Sequence, residues 1–428
     1  MRNQLVLLWR LCGTLAFLFC VSGAALEAPL IYEKLEVPFQ MDGGLYFESL
    51  LKPFPGTDWK APALVSERPL YLVFPLDGRL LIVDRERKED GFYNRVYFDA
   101  NGNRDLTDDT PVAGECNDSS QVPQATFRAI AFSAPVGGLN YGFDLRVSQV
   151  KPGSITSFID RLAGGHGEEP TAAAKTACCY AADVEVEGAK YHIRLIDANM
   201  DGQFKAAASS GPASQEQTLD TIMVERVGES NEPTWQTLGS YLAIGQSVFK
   251  FLPDVAAGKL VISPVEGDTG RLKIADTFET LTLLKNAPPP AEFVMMYRPA
   301  GSLPLPCGAY TLVQYDLFAK DPSGALWVVS TKGQCQATRL TLEKDKEIDA
   351  PFGQPLTARA VADPTLHSGF FWRKYAALNL VAQGAGGEQL QRLPLKLDEG
   401  LFAAEKPPNY RVLRGDGEVV AQGAFRYG

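Results

Sequence analysis

The residues best suited to chemistry lie in two short acidic loops. The first is Asp99-Ala100-Asn101-Gly102-Asn103-Arg104-Asp105-Leu106-Thr107-Asp108-Asp109. Calcium takes six to eight oxygen ligands, and one compact loop can supply them from alternate residues. Counting Asp99 as position one, side-chain oxygens fall at one, three, five and seven, from Asp99, Asn101, Asn103 and Asp105, with Asp108 and Asp109 left to complete the shell. Leu106, at position eight, is placed to pack beneath the loop. The second loop, Asp197-Ala198-Asn199-Met200-Asp201-Gly202-Gln203-Phe204, repeats the opening. Asp197, Asn199 and Asp201 occupy one, three and five, Gly202 gives the sharp turn, and Gln203 would add its backbone carbonyl. A plain Asx-rich turn would explain the geometry, because Asn and Asp side chains cap their own backbone. It would not explain four carboxylates within eleven residues of the first loop, which repel by about 1–4 kcal/mol per close pair at ~4 Å.

The pattern is close to D-x-[DN]-x-[DN]-G. Both loops resemble EF-hand or dockerin-type calcium loops. The wider chain is similar to exported bacterial β-rich proteins with such loops and a closing aromatic-Tyr-Gly tail, here Phe425-Arg426-Tyr427-Gly428. Three features depart from the EF-hand. Position twelve holds Thr110 and Ala208 instead of Glu, position six of the first loop is Arg104 instead of Gly, and strands lead into both loops. The missing ligands are therefore expected from Asp108 or Asp109 for the first loop, and from Asp220 or Glu216 for the second.

Enzyme signatures are sparse. The three histidines, His166, His192 and His367, sit in no H-E-x-x-H, and neither G-x-S-x-G nor a phosphate-cradling glycine loop occurs. The scattered carboxylates are compatible with a glycosidase pair. Phe370, Phe371 and Trp372 could form either sandwich core or an exposed patch for a glycan or protein.

The elements that must position these loops read as strands. Arg79–Val83, Arg95–Phe98, Tyr141–Val147 and Asp183–Val186 are short β-branched or aromatic runs bounded by Gly, Asn and Asp. Helical periodicity is confined to Ser157–Leu162 and Thr234–Leu242. Segments Pro69–Asp109 and Tyr180–Phe204 both read as strand, turn, strand and an Asp-Ala-Asn loop, about 98 residues apart, which suggests two related β modules. Lys285–Glu292, with three consecutive prolines, reads as a linker. Beyond it, strand-like runs with turns every 8–15 residues suggest a sandwich of immunoglobulin-like or carboxypeptidase-regulatory-like shape.

The first residues have the three parts of a secretory signal peptide: Arg2 and Arg10, the apolar run Leu11–Val21, and small residues Ser22–Ala25. That run of eleven is shorter than the roughly 20 residues of a spanning helix. Cleavage would leave 39 basic against 51 acidic residues, a charge of −12. Such a surface argues against nucleic acid and favours cations. Five cysteines would remain. Cys307–Cys335 is a plausible bridge in an oxidising compartment, Cys178 and Cys179 are adjacent, and one of them could pair with Cys116.

The expectation is a mainly β, exported protein. It comprises a signal peptide (1–25), β modules over 26–150 and 151–284, a linker (285–292) and a sandwich (293–428). Calcium is the expected cofactor, with no membrane span after cleavage and a protein or glycan as an unspecified partner. The expected role is structural or ligand-binding at the cell envelope, and a secreted glycan-directed hydrolase is the alternative.

Overall fold

The computed structural model describes residues 25–35, 45–47, 58–74, 78–117, 122–133, 140–149, 170–198, 204, 220–229, 235–288, 292–320, 326–332, 338–368, 374–390, 395–396, 409–413 and 417–424. The fold is mainly β: 31 strands and no helix occur among these residues. All of the expected signal peptide but Ala25, together with Ser157–Leu162, His166, Phe370–Trp372 and the C-terminal tail, lies outside them. Over the other helical candidate, Trp235–Thr237 and Tyr241–Ile244 are strands. Tyr-Leu-Ala-Ile is apolar on both sides, which suits a strand covered on both faces as well as a buried helix.

Four sheets bear on the loops. Leu70–Val73, Leu80–Asp84, Arg95–Phe98 and Val112–Ala113 form an antiparallel meander. A five-stranded sheet runs Leu45–Phe47, Thr171–Thr176, Asn140–Ser148, Gln124–Ser133, Glu115–Asn117. A second runs Trp235–Thr237, Thr221–Arg226, Ala189–Ile196, Cys178–Val186, Ile31–Lys34. The turn between Val186 and Ala189 has positive φ at both Glu187 (52°) and Gly188 (75°), the backbone that matches strand twist in a two-residue hairpin. A ten-stranded sheet assembled from Leu26–Pro29 and strands between 241 and 396 supports the rest.

The large sheet is buried on both faces. Leu242, Ile244, Met295 and Tyr297 belong to a core shared with the three smaller sheets, whereas Ala243, Val294 and Met296 belong to a second core. That second core is closed by Gly301–Pro306 and Thr269–Ile274 of a three-stranded sheet. Alternate residues of one strand thus serve different cores, as the pleat requires. At the centre of the first core, Phe74 lies 5.0 Å from Phe143, 5.1 Å from Phe132 and 5.9 Å from Phe98, centroid to centroid.

The chain divides differently from the expected modules. Asn140–Ser148 pairs with Thr171–Thr176 across the boundary at 150. Lys285–Glu292 is the end of a hairpin between Phe278–Ala287 and Glu292–Tyr297, where Lys285 and Glu292 are cross-strand partners with a 3.1 Å ion pair. The second core draws strands from both sides of that segment, and it includes parallel pairings of Tyr241–Ile244 with Val294–Tyr297 and of Arg271–Lys273 with Glu347–Asp349. These depart from an antiparallel immunoglobulin-like sandwich confined to 293–428.

Cys178 and Cys179 face opposite sides of their strand, in different apolar clusters, so they are not placed to bond to each other. Burial pushes both thiols up to about 12. Cys116 donates to the Tyr93 carbonyl. Cys307 is half-buried and not disulfide-bonded, and Cys335, its expected partner, lies outside the described residues.

Phe74→Ala should cost about 3–5 kcal/mol in denaturant unfolding, the range for a large aromatic removed from a packed core. Val73→Ala, at an exposed neighbouring position, should change stability by less than about 1 kcal/mol.

Candidate metal centre

Asp99 stands at the end of a buried strand. Arg95–Phe98 pairs with Leu81–Asp84, the Asp99 N–H donates to the Leu80 carbonyl, and the side chain that follows is only 1% exposed. Its carboxylate accepts the N–H groups of Asn103 (3.1 Å) and Arg104 (3.2 Å), so the chain curls over it. A series of Asx turns continues the curl. Asn101 Oδ1 accepts from Asn103 N at 2.9 Å, Asn103 Oδ1 from Asp105 N at 2.7 Å, and Asp105 Oδ1 from Thr107 N at 3.1 Å. Each amide oxygen has two lone pairs and uses one in its turn.

Two backbone steps make the curl possible. Gly102 has φ 75° and Arg104 φ 66°. Arg104 occupies the position where glycine is expected and still takes the left-handed conformation, at a cost of about 1–2 kcal/mol. Its guanidinium lies 5.8 Å from the Trp59 ring centroid, a cation–π contact that offsets part of the strain. Leu106 is 1% exposed and packs with Leu80, Ile82 and Tyr97.

The predicted ligands of the first loop separate into two groups. Asp99, Asn101, Asn103, Asp108 and Asp109 are linked: Asn103 Nδ2 donates to Asp108 Oδ2 (2.8 Å), Asn101 Nδ2 lies 3.4 Å from Asp108 Oδ1, and Ala100 N donates to Asp109 Oδ1 (3.3 Å). Asp105 turns away. Its Oδ2 meets Lys60 Nζ at 2.7 Å, and this lysine, with the Thr107 hydroxyl, lowers the Asp105 carboxyl to about 2. Asp105 could still offer its main-chain carbonyl.

Asp109 is the discordant member. Its Oδ2 is buried without a hydrogen-bond partner among the described residues. Burial first, then the charges of Asp99 and Asp108, push its carboxyl up, while the Ala100 N–H and Arg79 oppose that shift. An orphaned buried oxygen beside two further acids fits a divalent ion, which would be held by Asp99, Asn101, Asn103, Asp108 and Asp109. Among the described residues, no three His, Cys, Asp or Glu side chains are gathered closely enough to grip an ion unaided. In the first loop amide and backbone donors stand between the acids. No protein-family model, curated protein or solved structure matches the chain. The reading of these loops therefore rests on their own chemistry.

The second loop is described at its edges. Asp197 is 2% exposed at the end of Ala189–Ile196, accepting the Tyr141 hydroxyl at Oδ2 (2.7 Å) and the Thr176 hydroxyl at its carbonyl (2.9 Å). The register that pairs Ile196 with Thr221 brings the buried Asp220 opposite Asp197 at the strand ends. Asn199, Asp201, Gln203 and Glu216 lie outside the described residues. Phe204, at position eight, meets the Tyr180 ring edge-on at 5.9 Å.

Two positioning residues escaped the sequence patterns. The Arg79 guanidinium donates to the carbonyls of Asp99, Ala100 and Ser133 and lies 5.0 Å from the centroid of Phe132. Tyr141 stacks on Phe132 at 5.4 Å while bonding Asp197. An unbroken series of contacts, Arg79–Phe132–Tyr141, thus joins the first residues of both loops. The only sequence signal was an arginine opening an apolar strand.

Asp109→Asn separates the two charge states. A carboxyl raised in the folded protein stabilises the fold at low pH, and that stabilisation is lost as pH rises through its folded value. The ion-free variant should therefore melt higher than wild type at neutral pH, with the difference vanishing in acid. Asp105 works in the opposite sense, its contribution being lost as pH falls from 3.8 towards about 2. Scanning calorimetry of metal-free protein between pH 2 and 8 reads both. Tyr141→Phe removes a buried hydroxyl donor and should cost about 1–3 kcal/mol in denaturant unfolding, with or without metal.

Proposed function

We propose that this chain is an exported, calcium-stabilised β protein serving the cell envelope as a structural or ligand-binding module. The observation that carries the reading is the buried, unpartnered Oδ2 of Asp109 beside Asp99 and Asp108. Calcium would replace carboxylate repulsion with shared coordination, and its binding free energy would add to the stability of the folded loop. The loop is held at both ends by buried groups, Asp99 at the strand end and Leu106 beneath. An ion there would fasten the meander to its neighbouring sheet through Arg79 and Ser133. The second loop is proposed as a like site beginning at Asp197, with Asp220 beside it.

Calcium titration followed by thermal melting tests the reading. At about one hundred times its dissociation constant, calcium bound only to the folded state adds about 2.7 kcal/mol, a rise of a few degrees for a chain of this size. Asp108→Ala should remove most of the first loop's share of that rise and leave the melting temperature in chelator nearly unchanged, since Asp108 is exposed. Asp99→Ala is the less discriminating variant: it also strips the acceptor from two backbone N–H groups and should destabilise the protein under both conditions. A melting temperature indifferent to calcium would overturn the proposal.

A further inference from the structure

Beside the first loop the surface forms a broad, open groove of about 590 Å³. Its walls include Tyr32, Lys34, Asn101, Ser133, Asn140 and Tyr141. A recess of about 150 Å³ shares Tyr32 and Lys34 with it and adds Arg128, so the two adjoin at those side chains.

Its polar groups are unevenly satisfied. Lys34 is exposed at the end of the edge strand Ile31–Lys34 and has no ion pair among the described residues. Glu33, the adjacent residue, points to the opposite face and is taken by His192 and Arg194. Arg128 has only long contacts, 3.5 Å to Glu115 and 3.7 Å to Asp144, against about 2.7–2.9 Å for a well-formed charge-assisted bond. The Ser133 hydroxyl donates to Asn140 Oδ1 at 3.0 Å, which leaves the Asn140 amide nitrogen as a donor. Ala129, in the wall of the recess, is held at φ 55° where Asp144 accepts its N–H at 2.8 Å. That bulge sets the strand carrying Arg128 in place. Two weakly satisfied cations, the Asp144 carboxylate already committed to the Ala129 N–H, amide and hydroxyl groups that both donate and accept, and the partly exposed Tyr32 ring line this surface of an acidic protein.

We propose that this groove binds a carboxylate-bearing saccharide, with Lys34 and Arg128 holding carboxylates and Asn101, Ser133 and Asn140 reading hydroxyls. The assignment stands on Lys34; Asn101 belongs also to the calcium reading, and Ser133 and Tyr141 touch the loops through Arg79 and Asp197. Titration calorimetry of the full chain with trigalacturonate, neutral galactotriose and triglutamate, each in calcium and in chelator, tests it. Trigalacturonate should bind under both conditions and the other two at least about tenfold more weakly; Lys34→Ala should weaken trigalacturonate about tenfold, equivalent to about 1.4 kcal/mol, without changing the melting temperature. Equal binding of the acidic and neutral sugars, equal binding of triglutamate, no binding of trigalacturonate, or a Lys34→Ala variant that binds like wild type would each overturn the proposal. Melting of the same samples with and without calcium reads the loop separately, so either proposal can fail alone.

Discussion

A carboxylate at the end of a buried strand must find partners, and the loop around Asp99 is organised by that need. Placed where water scarcely reaches, an ionised carboxylate would be costly without hydrogen bonds to its charged form. Asn103 and Arg104 supply two from the backbone, and delivering them requires the left-handed steps at Gly102 and Arg104. The same curl brings Asp108 and Asp109 back over the strand end. Acidity and curvature are thus one feature: the chain turns to satisfy the first acid, and the turn collects the others.

Arg79 gives the loop its attachment to the rest of the protein. An arginine six per cent exposed is unusual unless its donors are used, and here they reach main-chain carbonyls on two sheets while the planar group rests on Phe132. The acids of the loop stand near its positive charge. The ion-free loop is therefore not a purely negative cluster. Arg79 moderates the repulsion that a divalent ion would otherwise have to offset alone, and this bears on how tightly such an ion would be held.

The loop itself was legible in the sequence, because its determinants are local. Oxygen-bearing residues at every second position, a glycine for the turn and a leucine to anchor the return all sit within eleven residues. The strands leading into both loops were legible for the same reason, through short β-branched runs and the Glu-Gly turn at 187–188. What the spacing left hidden was the division of labour among the acids. Asp105 falls at a ligand position yet turns to Lys60, which the chain brings alongside as an isolated parallel bridge from 45 residues away. Arg79 and Tyr141 were invisible as positioning residues because their partners come from other sheets.

Domain boundaries were the least legible feature, and the reason lies in the pleat. A strand such as Glu292–Tyr297 shows a continuous apolar run, which reports burial on both faces but not which cores its two faces enter. Here Met295 enters one core and Met296 the other, so the large sheet belongs to both. Lys285 and Ala287 lie in the ladder of Phe278–Ala287, so a proline-rich composition does not distinguish a hairpin end from a linker. The consequence reaches the loops. Because the first core runs from the Phe74 cluster to one face of the large sheet, the two hairpins that end in Asp99 and Asp197 are packed into a common interior. Their loop-opening residues are then joined through Phe132 and Tyr141, an arrangement that two independently folded modules would have no physical reason to make.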